Sequence, residues 1–204
     1  MLYLLRHDNE EIGVTCCKTF ADLTRGMRTL NEEVFAEYMS ILLTLHDNLK
    51  QLTVEALSEE SPELDPNTSL PAIRSFKVAT EMDFLLVPFL QFNRSLVVTH
   101  LPTIIPRLLE FLEVQSPAQL KAREDSEAMG EIWAGMAPTI KNAQIYTDYV
   151  VAQLKCTSSL VFIVRGLPEQ YDAEGEKLVL TMLRLFQDCP ALAITARKVN
   201  SYSK

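Results

Sequence analysis

Apolar and polar residues recur along most of the chain with the period of an α-helix. From Glu32 onward, Phe35, Tyr38, Leu42, Leu45, Leu49, Leu52 and Ala56 follow one another at steps of three or four. Glu33, Glu37, Ser40, Thr44, Asp47, Gln51 and Glu55 fill the opposite side. This spacing gathers the apolar side chains on one face and predicts a long helix with that face buried. Asn31-Glu32-Glu33 supplies its start signal: the Asn oxygen accepts an orphaned first-turn N–H, and the helix dipole favours the acids. Asp8-Asn9-Glu10-Glu11 carries the same signal, with Asp8 or Asn9 as the cap. It predicts a helix over residues 10–25 burying Ile12, Cys16, Phe20, Leu23 and Met27, with Gly26 near its end. Ahead of it, Leu2-Tyr3-Leu4-Leu5-Arg6-His7 reads as the closing turns of an apolar helix. A chain that opens on a helix-to-helix joint reads as a piece of a longer array.

Residues 58–67 are acidic and hold Pro62 and Pro66, which marks a loop. Thr68 or Ser69 caps a further helix to Phe92, with Pro88 kinking it or ending its last turn. Residues 93–100 read as a connection or short helix. Residues 101–112 read as a helix whose Pro102 and Pro106 occupy the opening turn, where no N–H is missed. A charged helix follows Ser116-Pro117, broken near Gly130, Gly135 and Pro138. A long helix then runs over 139–165. Ile145, Tyr149, Ala152 and Cys156 line its first half, and Leu160-Val161-Phe162-Ile163-Val164 is apolar all round. That run should be covered on every side, and helix is preferred to buried strand because nothing else offers a pairing partner. Gly166-Leu167-Pro168 stops it. Val179, Met182, Phe186 and Cys189 line another helix, and Pro190 starts a last one.

The count is roughly eight helices. Successive helices with one buried stripe each suit a compact bundle or a solenoid of helix pairs. The long helices favour antiparallel pairs in an array.

Composition agrees with an all-α chain: only 6 of 204 residues are Gly, and the 10 prolines fall mainly between helical segments. A net charge of −8 without a basic stripe argues against direct nucleic-acid contact, which draws on Lys and Arg. The longest continuous apolar stretches, such as residues 84–90, fall short of the ~20 residues a bilayer-spanning helix needs. Cys16, Cys17, Cys156 and Cys189 show no CxxC spacing and read as small buried hydrophobes in a reducing compartment.

Candidate chemistry is sparse. His7, His46 and His100 are scattered, none with a His or Cys at i+3 or i+4 to begin a metal site, and read as structural or surface residues. His46 falls near the polar boundary of its helix. Cys16-Cys17 with His7 offers a thiol–imidazole pair, against which stands the simpler reading of buried thiols. Gly166 and Gly175 are isolated, so no phosphate cradle forms. The carboxylate pairs Glu10-Glu11, Glu32-Glu33 and Glu59-Glu60 fit capping and solvation. Trp133, the one tryptophan, fits packing between helices better than a partner anchor. The sequence therefore predicts no catalytic, cofactor or metal-binding residue and no small-molecule substrate. Partner-contacting residues are not assigned.

Several blocks, in order, resemble one family. Residues 4–11, LLRHDNEE, are similar to a helix joint in the amino-terminal region of the TRRAP family, very large transcription-associated relatives of the phosphatidylinositol-3-kinase-like kinases. Thr68-Ser69-Leu70 with Phe76-Lys77-Val78-Ala79-Thr80-Glu81 resembles that family's next long helix. Residues 146–155, YTDYVVAQLK, are the most specific match, continuing through 159–165 and 182–190. The resemblance runs to Lys198, and residues 199–204 depart from it.

The resemblance implies a HEAT-type α-solenoid over residues 1–198, one continuous array with an acidic loop near 58–67, followed by a divergent tail at 199–204. It implies a non-enzymatic scaffold segment of a nuclear coactivator in histone acetyltransferase complexes of SAGA type. The partners it implies are proteins: subunits of those complexes and transcription activators. An independent HEAT- or armadillo-type adaptor in transport or signalling is the alternative.

Overall fold

A computed structural model describes residues 1–27, 30–58, 61–65, 68–114 and 142–166, with positions 176, 179, 180 and 183. Six α-helices lie within the five continuous segments: α1 (Leu2–His7), α2 (Glu10–Met27), α3 (Glu32–Leu57), α4 (Phe76–Phe92), α5 (Arg94–Glu113) and α6 (Ala143–Gly166). One 3-10 turn, Ala72–Arg74, precedes α4. The sequence-predicted helices over 116–127 and at Pro190 lie outside the described residues, as do Trp133, Gly175 and Cys189.

α3 forms as its pattern predicts. Asn31 caps it by accepting the Glu33 N–H at 2.8 Å, and all seven residues of the predicted stripe are buried. A second row, Met39, Ile41, His46, Thr53 and Leu57, is buried beside it, so α3 is enclosed on more than one side.

The following expectations need correction. In α2 the buried face is Glu10, Gly13, Cys16, Cys17, Phe20 and Thr24, while Ile12, Leu23 and Met27 are exposed. The helix is turned so that its small residues meet a neighbouring backbone. Next, α4 starts at Phe76, because Ser75, not Thr68 or Ser69, is its cap, and it continues through Pro88. The third concerns α5, which is one helix from Arg94, with Pro102 and Pro106 in its interior. Both prolines point to solvent, where water can take the carbonyls they leave unbonded, and burial of Val97, Leu101, Ile104, Ile105, Leu108 and Leu112 outweighs the lost bonds. By length and composition α5 could cross a membrane, but this apolar face lies in the core. Last, the 160–164 run is helical yet not covered on every side, since Phe162 is 37% exposed. Val179, expected to be buried, is exposed.

The contacts set the helices in two rows. Glu10 meets Lys77 and Lys18 approaches Glu81, so α2 and α4 run in the same direction. Phe76 packs on Tyr149 and Phe84 lies under Lys155, so α6 runs that way too. In the other row, Phe35 meets His100 and Lys50 meets Glu110, which makes α3 and α5 parallel. Between rows the sense reverses. Phe35 packs on Phe89 while Asn48 reaches back to the Ile73 carbonyl, and Cys156 approaches Leu108 while Tyr149 reaches Val114. One continuous core joins both rows, with α4 packed most extensively against α6 and α2.

Candidate functional site

A cleft of about 220 Å³ opens where the N-terminal turns of α2, α4 and α6 come together. Glu10, Lys77 and Asp148 line it, with Leu64, Leu70 and Ile145 as apolar wall. Because α2, α4 and α6 are parallel, one start signal per helix is enough to bring these residues to a common end.

The joint between α1 and α2 is held by local side-chain hydrogen bonds. Asn9 is the cap: its side-chain oxygen accepts the Ile12 N–H at 3.1 Å, and Asp8 accepts the Asn9 N–H at 2.8 Å. Segment 70–72 runs antiparallel beside the joint, with Glu10 N–H donating to Leu70 O at 2.8 Å and Ala72 N–H to Asp8 O at 2.9 Å. The Glu10 carboxylate then receives the Ser75 hydroxyl at 2.7 Å and the Lys77 ammonium at 2.7 Å. Glu10, expected to serve only the helix dipole, is therefore a buried clasp between α2 and α4. Asn142 likewise ties the start of α6 to the end of α3 and to residues 62–64. Its amide donates to Ala56 O and Pro62 O, and its oxygen accepts the Leu64 N–H.

Electrostatics fit a clasp. The hydrogen bond to Glu10 is the main cause that holds Lys77 above the ordinary lysine range. Burial pushes the Asp148 carboxyl up, opposed by Lys77 at 3.8 Å and by the Gln144 amide at 3.0 Å. A lysine held above its unfolded value of 10.5 stabilises the fold below that pH and loses its contribution as pH rises through the folded value. The urea midpoint should fall by a larger increment above pH 10.5 in the parent chain than in Lys77→Met. Equal alkaline loss in the two would show that the clasp does not contribute.

A second polar cluster lies in the core. His46 on α3 and Asp83 on α4, both essentially inaccessible, meet at 2.8 Å between Nε2 and Oδ1. Phe111 stands edge-on to the imidazole at 4.9 Å, and burial, with the Asp83 charge, pushes the neighbouring Cys156 thiol well up. His46 is thus a core residue, not one near a polar boundary. Asp83 was not singled out in the sequence, although it lies beside Met82 on the stripe Ala79, Met82, Leu86.

The remaining candidates stay apart. His7 is exposed and stacks on Tyr3, while His100 packs against Phe35. Cys16, Cys17 and Cys156 are buried free thiols, and burial, then Glu81, pushes Cys17 far above the range of a usable thiolate. Among the described residues no three His, Cys, Asp or Glu side chains are grouped to hold a metal ion.

Fold and site together define a helical packing module in which the best-placed polar groups tie one helix to the next. No protein-family model matches the chain. Over 97% of its length it is 25% identical to the SAGA complex/NuA4 acetyltransferase complex subunit Tra1 of Schizosaccharomyces pombe. Over the same share it is 27% identical to transcription-associated protein 1 of Drosophila melanogaster and 19% identical to the human transformation/transcription domain-associated protein. The chain's relatives are thus TRRAP-family proteins, and it spans about 6% of the length of each of these three.

Proposed function

We propose that the chain is a non-catalytic span of a HEAT-like α-solenoid in a TRRAP-like coactivator subunit of nuclear histone acetyltransferase complexes. The observation that carries the solenoid reading is the two-row register: parallel helices within each row, antiparallel between rows. In such a stack each helix pair buries its faces on the pairs before and after it. The proposed array runs through residues 1–198, with residues 199–204 as a tail. The coactivator reading rests on likeness to the Tra1 relatives along nearly the whole chain. The polar cleft supports a structural role, since Glu10, Ser75 and Lys77 are engaged with one another. Partners are proteins, met by surface complementarity across the curved face of a stack.

The test is affinity purification of the tagged protein from nuclei of its own source, assayed for histone acetyltransferase activity. Activity should co-purify, and the chain made alone should have none. A cytoplasmic protein that brings down no acetyltransferase would overturn the coactivator reading and favour an independent helical adaptor.

A further inference from the structure

The two rows meet through largely apolar surfaces, crossed between α3 and the α4 segment by the Tyr38 hydroxyl to the Met82 carbonyl and the Asn48 amide to the Ile73 carbonyl, and apolar surfaces specify register weakly. One leucine accepts another after a one-turn slip of about 5.4 Å nearly as well as before it. Along α3 the residues a turn from His46 are Leu42 and Lys50, and along α4 those a turn from Asp83 are Ala79 and Val87. A slip of one turn sets His46 against Ala79 or Val87, so the imidazole loses its partner in both directions, and it sets Asp83 against Leu42 or against Lys50, whose ammonium would have to be drawn into the core to meet it.

We propose that the His46–Asp83 pair is a register key, which fixes the α3 row against the α4 row at the cost of some stability. Three observations support it. The pair bridges the rows at 2.8 Å with both side chains at most 2% exposed. It sits where four helices converge, since Phe111 of α5 packs on the imidazole and Cys156 of α6 lies beside the carboxylate. It is also incompletely satisfied: His46 Nδ1 has no hydrogen-bond partner among the described residues, and Asp83 Oδ2 has none beyond the neighbouring Cys156 thiol. A buried pair with unused polar atoms stabilises less than apolar residues of equal volume would, whereas stranding either member is severe. Buried polar groups of this kind are best attested as devices that select one packing over its neighbours.

The test is a cycle of His46→Leu, Asp83→Leu and the double variant in the 204-residue chain, read by urea unfolding and by amide-proton dispersion and exchange. Each single variant should raise the unfolding constant on the order of a hundredfold to a thousandfold, since it leaves a buried polar partner unpaired. The double variant should recover most of that loss, yet lose dispersion and exchange faster in the middle of α3 and α4. A double variant that keeps parental dispersion and slow exchange overturns the key, as do single variants that unfold like the parent. If the double variant does not fold, Asp83→Asn decides, because its amide oxygen keeps the acceptor for Nε2. Parental exchange in Asp83→Asn supports the key, and lost dispersion overturns it.

Discussion

Phe89→Ala is expected to destabilise the chain by about 4 kcal/mol, within the range for removing a fully buried phenylalanine. Phe89 is wholly inaccessible and stands edge-on to three other rings: Phe20 of α2 at 5.6 Å, Phe35 of α3 at 5.5 Å and Tyr38 of α3 at 4.9 Å. Each such arrangement adds roughly 0.5–1.5 kcal/mol beyond the area it buries. The surrounding wall is poorly placed to collapse into the hole. Phe20 and Phe35 are themselves buried, and the Tyr38 hydroxyl is tied to the Met82 carbonyl at 2.6 Å. A loss of about 4 kcal/mol is a large fraction of the ~5–15 kcal/mol that holds an ordinary domain together. Phe84→Ala on the same helix is the control. Phe84 is 40% exposed and carries Lys155 over its ring at 5.4 Å, so its removal should cost about 1 kcal/mol. Urea unfolding of both variants checks the pair, and equal losses would show that the ring cluster is not the centre of the core.

Why the sequence was legible in some places and not in others follows from what each helix touches. α3 buries a wide apolar face, so its period alone placed Phe35, Leu42 and Leu49 in the core. The rotation of α2 was hidden because its contact face includes Gly13 and Thr24, which carry little hydrophobic signal, while Leu23 and Met27 face solvent. The start of α4 was misplaced because Thr68 and Ser69 look like caps as good as Ser75. The choice was made by segment 70–72, which is held beside residues 8–10 and so cannot join the α-helix. α5 crossed two prolines because the core it fills outweighs two missing hydrogen bonds.

The polar contacts were less legible than the helices. Glu10 was read correctly as an N-terminal acid, but its clasp partners lie 65 and 67 positions away, beyond any local pattern. His46 and Asp83 did leave a signal. His46 sits beside Leu45 and four residues after Leu42, and Asp83 sits beside Met82 within an otherwise apolar stretch of α4. Reading the stripes as wide faces in place of single lines would have put both in the core. What no pattern could supply is that the two face each other.

Glycine in α2 gives the second large effect, and it should change sign along the helix. At Gly13 an added Cβ would lie 2.7 Å from the Ala72 Cβ and 2.9 Å from Val78 Cγ2. The Ala72 Cβ is fixed to a backbone that donates its N–H to Asp8 O, so it cannot retreat without breaking the clasp beside the α1–α2 joint. Alanine at position 13 therefore cannot realise the ~1 kcal/mol that it gains over glycine in a free helix. Gly13→Ala is expected to cost about 2 kcal/mol net, and Gly13→Val about 3 kcal/mol, the upper end for overpacking a filled site. Gly26 lies in the same helix, and nothing stands within 4 Å of where its Cβ would be. Gly26→Ala should accordingly stabilise the chain by roughly 0.5–1 kcal/mol. Helical content and urea midpoints of the three variants decide the matter. If Gly13→Ala raised the midpoint as Gly26→Ala does, α2 would not lie against residues 72–78. In that case the close approach that explains its turned face, its exposed Leu23 and its buried Glu10 would be lost with it.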